Sequence, residues 1–241
     1  MHLHRKHGDY GMYDIMYNGD TCSKYGIIPV RRPSVPAPEI RVTETEIPGM
    51  DGVLIENDNT YAPITIPVEF NFLVPEDKWM DAYRKAKRWL TSSGWLMLGD
   101  DQEYMYKVYY CRITDAERTS RRLGNFTAEF VCHPYTFLVD GQQEYDASDV
   151  KYNPYMVSHP IYVISGSGAC TLTVNGKTMT ATVNQQITID TDRMIAYNAQ
   201  MVNQSSLIAG DYEDLYLQEG DNTITVSTGF TLKIIPNWRV L

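Results

Sequence analysis

Ile64, Ile66, Val68, Phe70 and Phe72 alternate with Thr65, Pro67, Glu69 and Asn71, the period of two that marks a strand with one buried face. Pro67 has no N–H to give to a ladder, so this strand is expected at an edge or with that side turned outward. The period then changes. Trp79, Tyr83, Ala86 and Leu90 recur at helical spacing and form one apolar stripe, which predicts the main helix over 75–93. Pro75, Glu76 and Asp77 suit its first turn, Arg84, Lys85, Lys87 and Arg88 complement the negative end of its dipole, and Gly94 is placed to close it. Strands are predicted again over 104–113 and 126–135, with Phe126, Ala128, Phe130 and Cys132 on one face. The polar stretch 114–124 joins them, and His133-Pro134-Tyr135 reads as the second strand's end. The first half is therefore a mostly antiparallel sheet with one packed helix.

After residue 140 the texture shifts to short Thr, Val and Ile runs broken by Gly and Asn, and a domain boundary is placed near Asp140-Gly141-Gln142. A hairpin is predicted over 169–183 with Asn175-Gly176 in a type I′ turn. Short strands follow over 186–190, 214–217, 222–226 and 231–235. Regular spacing of this kind predicts a β-sandwich. The chain thus reads as mainly β with one helix. A flexible leader occupies 1–11, a first domain 12–140, a C-terminal sandwich 141–230 and a last strand 231–241.

Composition narrows the function. The 241 residues are 43% apolar, enough for real cores without metal or disulfide staples. No apolar run approaches the roughly 20 residues that cross a bilayer, and no signal-peptide core follows the basic start. The expectation is no membrane insertion and no secretion. The net charge of −9 opposes nonspecific attraction to a phosphate polyanion, so no specific nucleic-acid binding is expected. Cys22, Cys111, Cys132 and Cys170 lie far apart and read as reduced, mostly buried thiols of a protein folded in a cytosol.

Candidate chemistry is thin. His2, His4 and His7 have a spacing that can touch a metal, but a terminus cannot pre-form a closed shell, and they read as leader. Cys132 and His133 are neighbours on a strand and point to opposite faces, so they make no nucleophile and base pair. Glu44/Glu46, Asp100/Asp101 and Asp211/Glu213/Asp214 match no calcium loop and carry no companion motif of a glycosidase. No P-loop, G-x-G-x-x-G, G-x-S-x-G or H-E-x-x-H is present. The chain reads as a non-enzyme with no catalytic residues, metal or cofactor.

What stands out is a proline-rich lead, Pro33-Ser34-Val35-Pro36-Ala37-Pro38, before two extended arms joined by a glycine-containing turn. The stretch runs Thr43-Glu44-Thr45-Glu46-Ile47-Pro48-Gly49-Met50-Asp51-Gly52-Val53-Leu54-Ile55. Glu44, Thr45 and Glu46 stand where a core strand is apolar, so these residues predict a hairpin, about 39–56, projecting from its domain. A two-stranded ribbon is not stable alone. It needs a neighbour, either another part of this chain or another subunit, for which these thirteen residues are the candidate interface.

The same residues resemble the distal tail (Dit) proteins of long-tailed phages that infect Gram-positive bacteria. The resemblance runs in order from Tyr17-Asn18-Gly19 and Tyr25-Gly26 through Ile47-Pro48-Gly49-Met50-Asp51-Gly52, similar to the family's I-P-G-R-D-G. Trp89-Leu90, Leu98-Gly99-Asp100-Asp101 and Phe130-Val131-Cys132-His133-Pro134-Tyr135 come next. The chain finishes on Ile234-Ile235-Pro236-Asn237-Trp238-Arg239-Val240-Leu241, similar to I-x-P-x-W-R-x-L. Met50 stands where Arg is common, so the turn carries over and a charged contact at its tip does not.

The resemblance implies a split-barrel-like ring domain whose hairpin arm embraces the next subunit of a homo-hexamer. It also implies a galectin-like or carbohydrate-module-like outer sandwich and a final strand returning to the first domain. It implies a virion protein of the phage or prophage tail tip, assembled in the bacterial cytoplasm. The ring would join the tail tube to the baseplate hub, the tail-associated protein and receptor-binding proteins, its lumen passing tape-measure protein and DNA. The alternative is a carbohydrate-binding adaptor whose sandwich stacks glycans on Tyr197, Tyr212, Tyr216 or Trp238.

Overall fold

The computed structural model describes residues 13–241. The leader predicted over 1–11, with His2, His4 and His7, lies outside the described residues. The chain is mainly β and antiparallel, and it divides into two compact units between Pro134 and Tyr135. That division falls inside a single strand, Leu123–Leu138, so no linker composition marks it.

In the first unit the strand Ile64–Leu73 buries every second side chain, Ile64, Ile66, Val68, Phe70 and Phe72. Its partner Leu123–Leu138 sets Cys132, Phe130, Ala128 and Phe126 opposite the first four of these. In antiparallel register opposed residues share a face, so both strands present one apolar surface to the same core. On the other side of this strand, among the described residues, Ile28–Pro29 pairs with Asn71 and Phe70 and the Val30 N–H reaches the Glu69 carbonyl, so the contact ends before Pro67. The missing donor therefore costs no ladder bond on that side.

The helix Trp79–Leu90 closes this core with Trp79, Ala86, Trp89 and Leu90. It is shorter than the predicted 75–93. Residues Glu76–Lys78 form a 3-10 turn before it, and it stops at Leu90 because Gly94 begins the strand Gly94–Leu98. Gly94 is not a helix stop. A Cβ there would lie 1.6 Å from Asn18 Oδ1, which accepts the Trp95 N–H at 2.9 Å. Trp89 ties the helix to the first strand, Ile15–Tyr17: its indole N–H donates to the Tyr17 carbonyl at 3.1 Å, and its ring stacks on Tyr25 at 4.8 Å.

The second unit grows from one long hairpin, Ile161–Val174 and Lys177–Asp190, paired without a break through all fourteen positions. Asn175 and Gly176, at φ 51° and 79°, make the type I′ turn. The strand predicted over 186–190 is the end of this same ladder. Tyr162, Ile164, Leu172 and Val174 on one strand, with Met179, Val183, Ile187 and Ile189 on the other, line a single core. One face of a ribbon this long meets itself only if the ribbon curls. The curl sits at Gly166, paired with Gln185, where a Cβ would strike the Phe230 ring at 2.4 Å. Each half then recruits its own neighbours: Thr231–Ile235 and Ile195–Tyr197 on one, Ile224–Val226 and Ile208–Ala209 on the other. The result is a sandwich made from one folded ribbon.

Two readings need correction here. His133-Pro134-Tyr135 does not end its strand, which continues to Leu138. Pro134 lies between the last pair with one neighbour, Ile64↔Cys132, and the pairs that Thr136 and Phe137 make with Arg239–Val240. Residues 214–217 are not a strand. A 3-10 turn, Tyr212–Leu215, carries Leu215 into the core, and Leu217 follows it by a single bridge to Ser158.

Candidate functional site

The arm is a sheet of its own. Ile40–Thr45 and Leu54–Tyr61 pair with each other and, among the described residues, with no other strand. The register sets Thr43 against Glu56, Glu44 against Ile55 and Thr45 against Leu54, with a bulge between Ile40 and Val42. The second strand runs past the predicted end to Tyr61. Asn59 sits at φ 54°, its N–H given to Asn57 Oδ1 at 2.8 Å. That polar Asn57-Asp58-Asn59 run looks like loop in sequence, and the bulge is what lets a strand contain it.

At the tip, Met50 N–H donates to the Ile47 carbonyl at 3.1 Å across Pro48 and Gly49. Pro at the second position and Gly at the third with φ 83° are the requirements of a type II turn. A side chain at position 49 would force a left-handed backbone that other residues resist. The turn therefore fixes where the two strands start and which residues oppose each other.

Burial is what sets the arm apart. All residues 39–60 are exposed, including Ile40, Val42, Ile47, Met50, Val53, Leu54 and Ile55, the last at 59%. Opposed residues share a face, so Val42, Glu44, Ile55 and Asn57 lie on one side and Thr43, Thr45, Leu54 and Glu56 on the other. Both faces mix aliphatic groups with carboxylates, and neither is covered. Of the thirteen predicted interface residues, the structure brings all into this one ribbon.

The four aromatic candidates do not converge in this way. Trp238 is 8% exposed and belongs to the core of the second unit. It offers no open ring for a sugar, because the core of the second unit covers it. Tyr212 is packed against the same core with a buried hydroxyl. Tyr197 is half-buried in the strand Ile195–Tyr197. Tyr216 has one ring face stacked on His159, centroids 3.9 Å apart.

Tyr216 belongs to a polar cluster that sequence patterning missed. Arg239, 8% exposed, donates from Nε to the Val157 carbonyl at 2.6 Å and from its terminal nitrogen to His159 Nε2 at 3.1 Å. Its guanidinium lies 4.2 Å from the Tyr135 ring centre. A guanidinium only donates, so Nε2 of His159 accepts, and the proton sits on Nδ1, 3.3 Å from Asp192. Burial pulls the Arg239 pKa down, opposed by Tyr135, Asp192 and Tyr216. The cluster fastens the final Arg239–Val240 strand to Thr136 and Phe137. Its parts are spread over a hundred residues, so no local motif announces it.

Burial pushes the Cys111 and Cys132 thiols up to about 12, assisted at Cys111 by Glu129 and at Cys132 by the neighbouring Cys111. A thiol held protonated in this way is a poor nucleophile. Among the described residues no three His, Cys, Asp or Glu side chains gather as a metal site, and no helix is long and apolar enough to cross a membrane.

Comparison with known proteins adds the fold. No family model matches the chain, and no curated relative does. A solved structure does: the Dit protein (gp19.1) of phage SPP1, described as a paradigm of the hub adsorption apparatus in phages infecting Gram-positive bacteria. The similarity covers 96% of this chain and 100% of that one, with a TM-score of 0.64 at 16% identity. The chain shares the fold of that Dit protein over 96% of its length.

Proposed function

We propose that this chain is a structural protein of a phage tail tip, closing into a homo-hexameric ring through its arm. The observation that carries the reading is the arm itself, a strand pair with seven exposed aliphatic residues on a fold shared over nearly its whole length with SPP1 Dit. An isolated two-stranded hairpin is marginal in water, and a sister copy supplies the missing contacts. The protein then acts by assembly and not by chemistry, joining tail tube to hub, with tape-measure protein and DNA passing through the lumen. The net charge of −9 suits that passage, because an acidic wall releases no counterions from DNA and does not hold it.

The test is the mass of the purified chain by light scattering, with negative-stain images of the same sample. A six-fold ring with a central hole is expected. Replacing residues 43–55 by a short glycine–serine turn is expected to leave monomers whose circular dichroism is otherwise that of the intact chain. A monomer from the intact chain at high concentration, or rings from the armless one, would refute the reading.

A further inference from the structure

We infer that the arm of one copy docks on the exposed, cationic face of the helix Trp79–Leu90 of a second copy. The inference rests on the assembly proposed above and names the surface that receives the arm.

The first observation is charge. Between residues 39 and 61 the chain carries Glu39, Glu44, Glu46, Asp51, Glu56 and Asp58 against Arg41 alone. All seven are exposed. Glu44 and Glu56 lie on opposite faces of the ribbon, and none of the six carboxylates forms an ion pair among the described residues. Like charges this close repel one another, a cost that a receiving surface of opposite sign removes.

The helix supplies such a surface. Arg84, Lys85, Lys87 and Arg88 are exposed on the side away from the buried Trp79, Ala86, Trp89 and Leu90. Asp81 neutralises Arg84 at 2.9 Å, and Lys87 lies over the Tyr83 ring at 4.7 Å. Lys85 and Arg88 form no ion pair among the described residues. Met80, 49% exposed, sits one turn before Arg84 on the same face. A helix face that mixes cations with an exposed methionine matches a ribbon that mixes carboxylates with Val42, Leu54 and Ile55. The other basic run is less free: Arg118 is committed to the Trp79 ring at 5.3 Å and to the Arg121 carbonyl at 3.0 Å.

Reach is sufficient. At roughly 3.3 Å per residue the arm from Ile40 to its tip extends on the order of 25 Å, enough to cross from one small domain to the next. The helix cannot receive its own arm in this conformation, since the arm is exposed along its whole length.

Charge reversal tests the pairing on the full chain. Glu44→Lys with Glu56→Lys changes the arm, and Lys85→Glu with Arg88→Glu changes the helix. All four positions are exposed, so circular dichroism and thermal unfolding are expected to stay those of the parent. Each pair alone is expected to weaken assembly on the order of tenfold or more, read as mass against concentration, and the four changes combined in one chain are expected to restore it. Full assembly by the helix pair, or a folded four-fold variant that stays monomeric, overturns the docking surface. The ring reading falls separately, if the intact chain stays monomeric at high concentration or the armless chain assembles.

Discussion

Two hairpins of this chain have the same backbone pattern and opposite fates. The ribbon Ile161–Val174 with Lys177–Asp190 turns on Asn-Gly, curls at Gly166 and hides one face from end to end. The arm Ile40–Thr45 with Leu54–Tyr61 turns on Pro-Gly and hides neither face. Both have correct turns and antiparallel ladders, so hydrogen bonding does not separate them. Burial does. Each fully buried aliphatic side chain contributes about 1.5–3 kcal/mol, and the long ribbon has several where the arm has none. The ladder of a strand pair shows that it can form, and its side chains show what it is formed for.

One pair of substitutions puts the difference to its hardest test. Ile164 is fully buried and Ile55 is 59% exposed. Ile164→Ala is expected to cost about 2–5 kcal/mol of the second unit's stability, seen as a lower urea midpoint and faster amide exchange over 161–190. Ile55→Ala is expected to change the monomer's stability by no more than about 0.5 kcal/mol while raising the concentration at which rings form. If Ile55→Ala destabilised the monomer as much as Ile164→Ala, the arm would be folded by contacts within its own chain and the contrast would vanish.

That contrast explains what patterning was able to reveal. The strand 64–72 was legible because every second residue meets the same core, and the Trp79-to-Leu90 stripe because a helix buries one side. Element ends were less legible, since they depend on partners far away in sequence. Gly94 looks like a helix stop, yet Asn18 determines it. Pro134 looks like a strand end, yet it falls between two ladders. The strand expected over 214–217 is a 3-10 turn and a single bridge, because a 3-10 turn also delivers a side chain such as Leu215 inward. The arm was visible by the reverse signal, turn residues between strands with no apolar alternation. The Arg239–His159–Asp192 cluster was hidden because only the tertiary fold assembles it.

Hydrogen exchange sharpens the comparison at the backbone. Amides of the long hairpin are expected to exchange only with global opening of their unit, while those over 40–45 and 54–61 open locally in the monomer. Assembly is expected to slow the arm amides and to leave those of 161–190 unchanged. Equal protection of the arm in monomer and ring would mean that no sister copy covers it.

The smallest expected effect compares carboxylates. Those of the arm form no ion pair among the described residues, whereas Asp14 is held inside the first unit. Burial disfavours its charge, but the Cys22 thiol at 2.6 Å, the Ser23 hydroxyl and the N–H groups of Ser23 and Ile15 outweigh it and lower its pKa below 3.8. A carboxyl with a lowered folded pKa adds stability that is present above its unfolded pKa and is lost as pH falls through the folded value. Thermal unfolding of the wild type is therefore expected to weaken between about pH 5 and about pH 3 slightly more than that of Asp14→Asn, which keeps an acceptor oxygen and cannot titrate. Identical profiles for the wild type and Asp14→Asn would remove Asp14 from the groups whose partners are supplied within the chain.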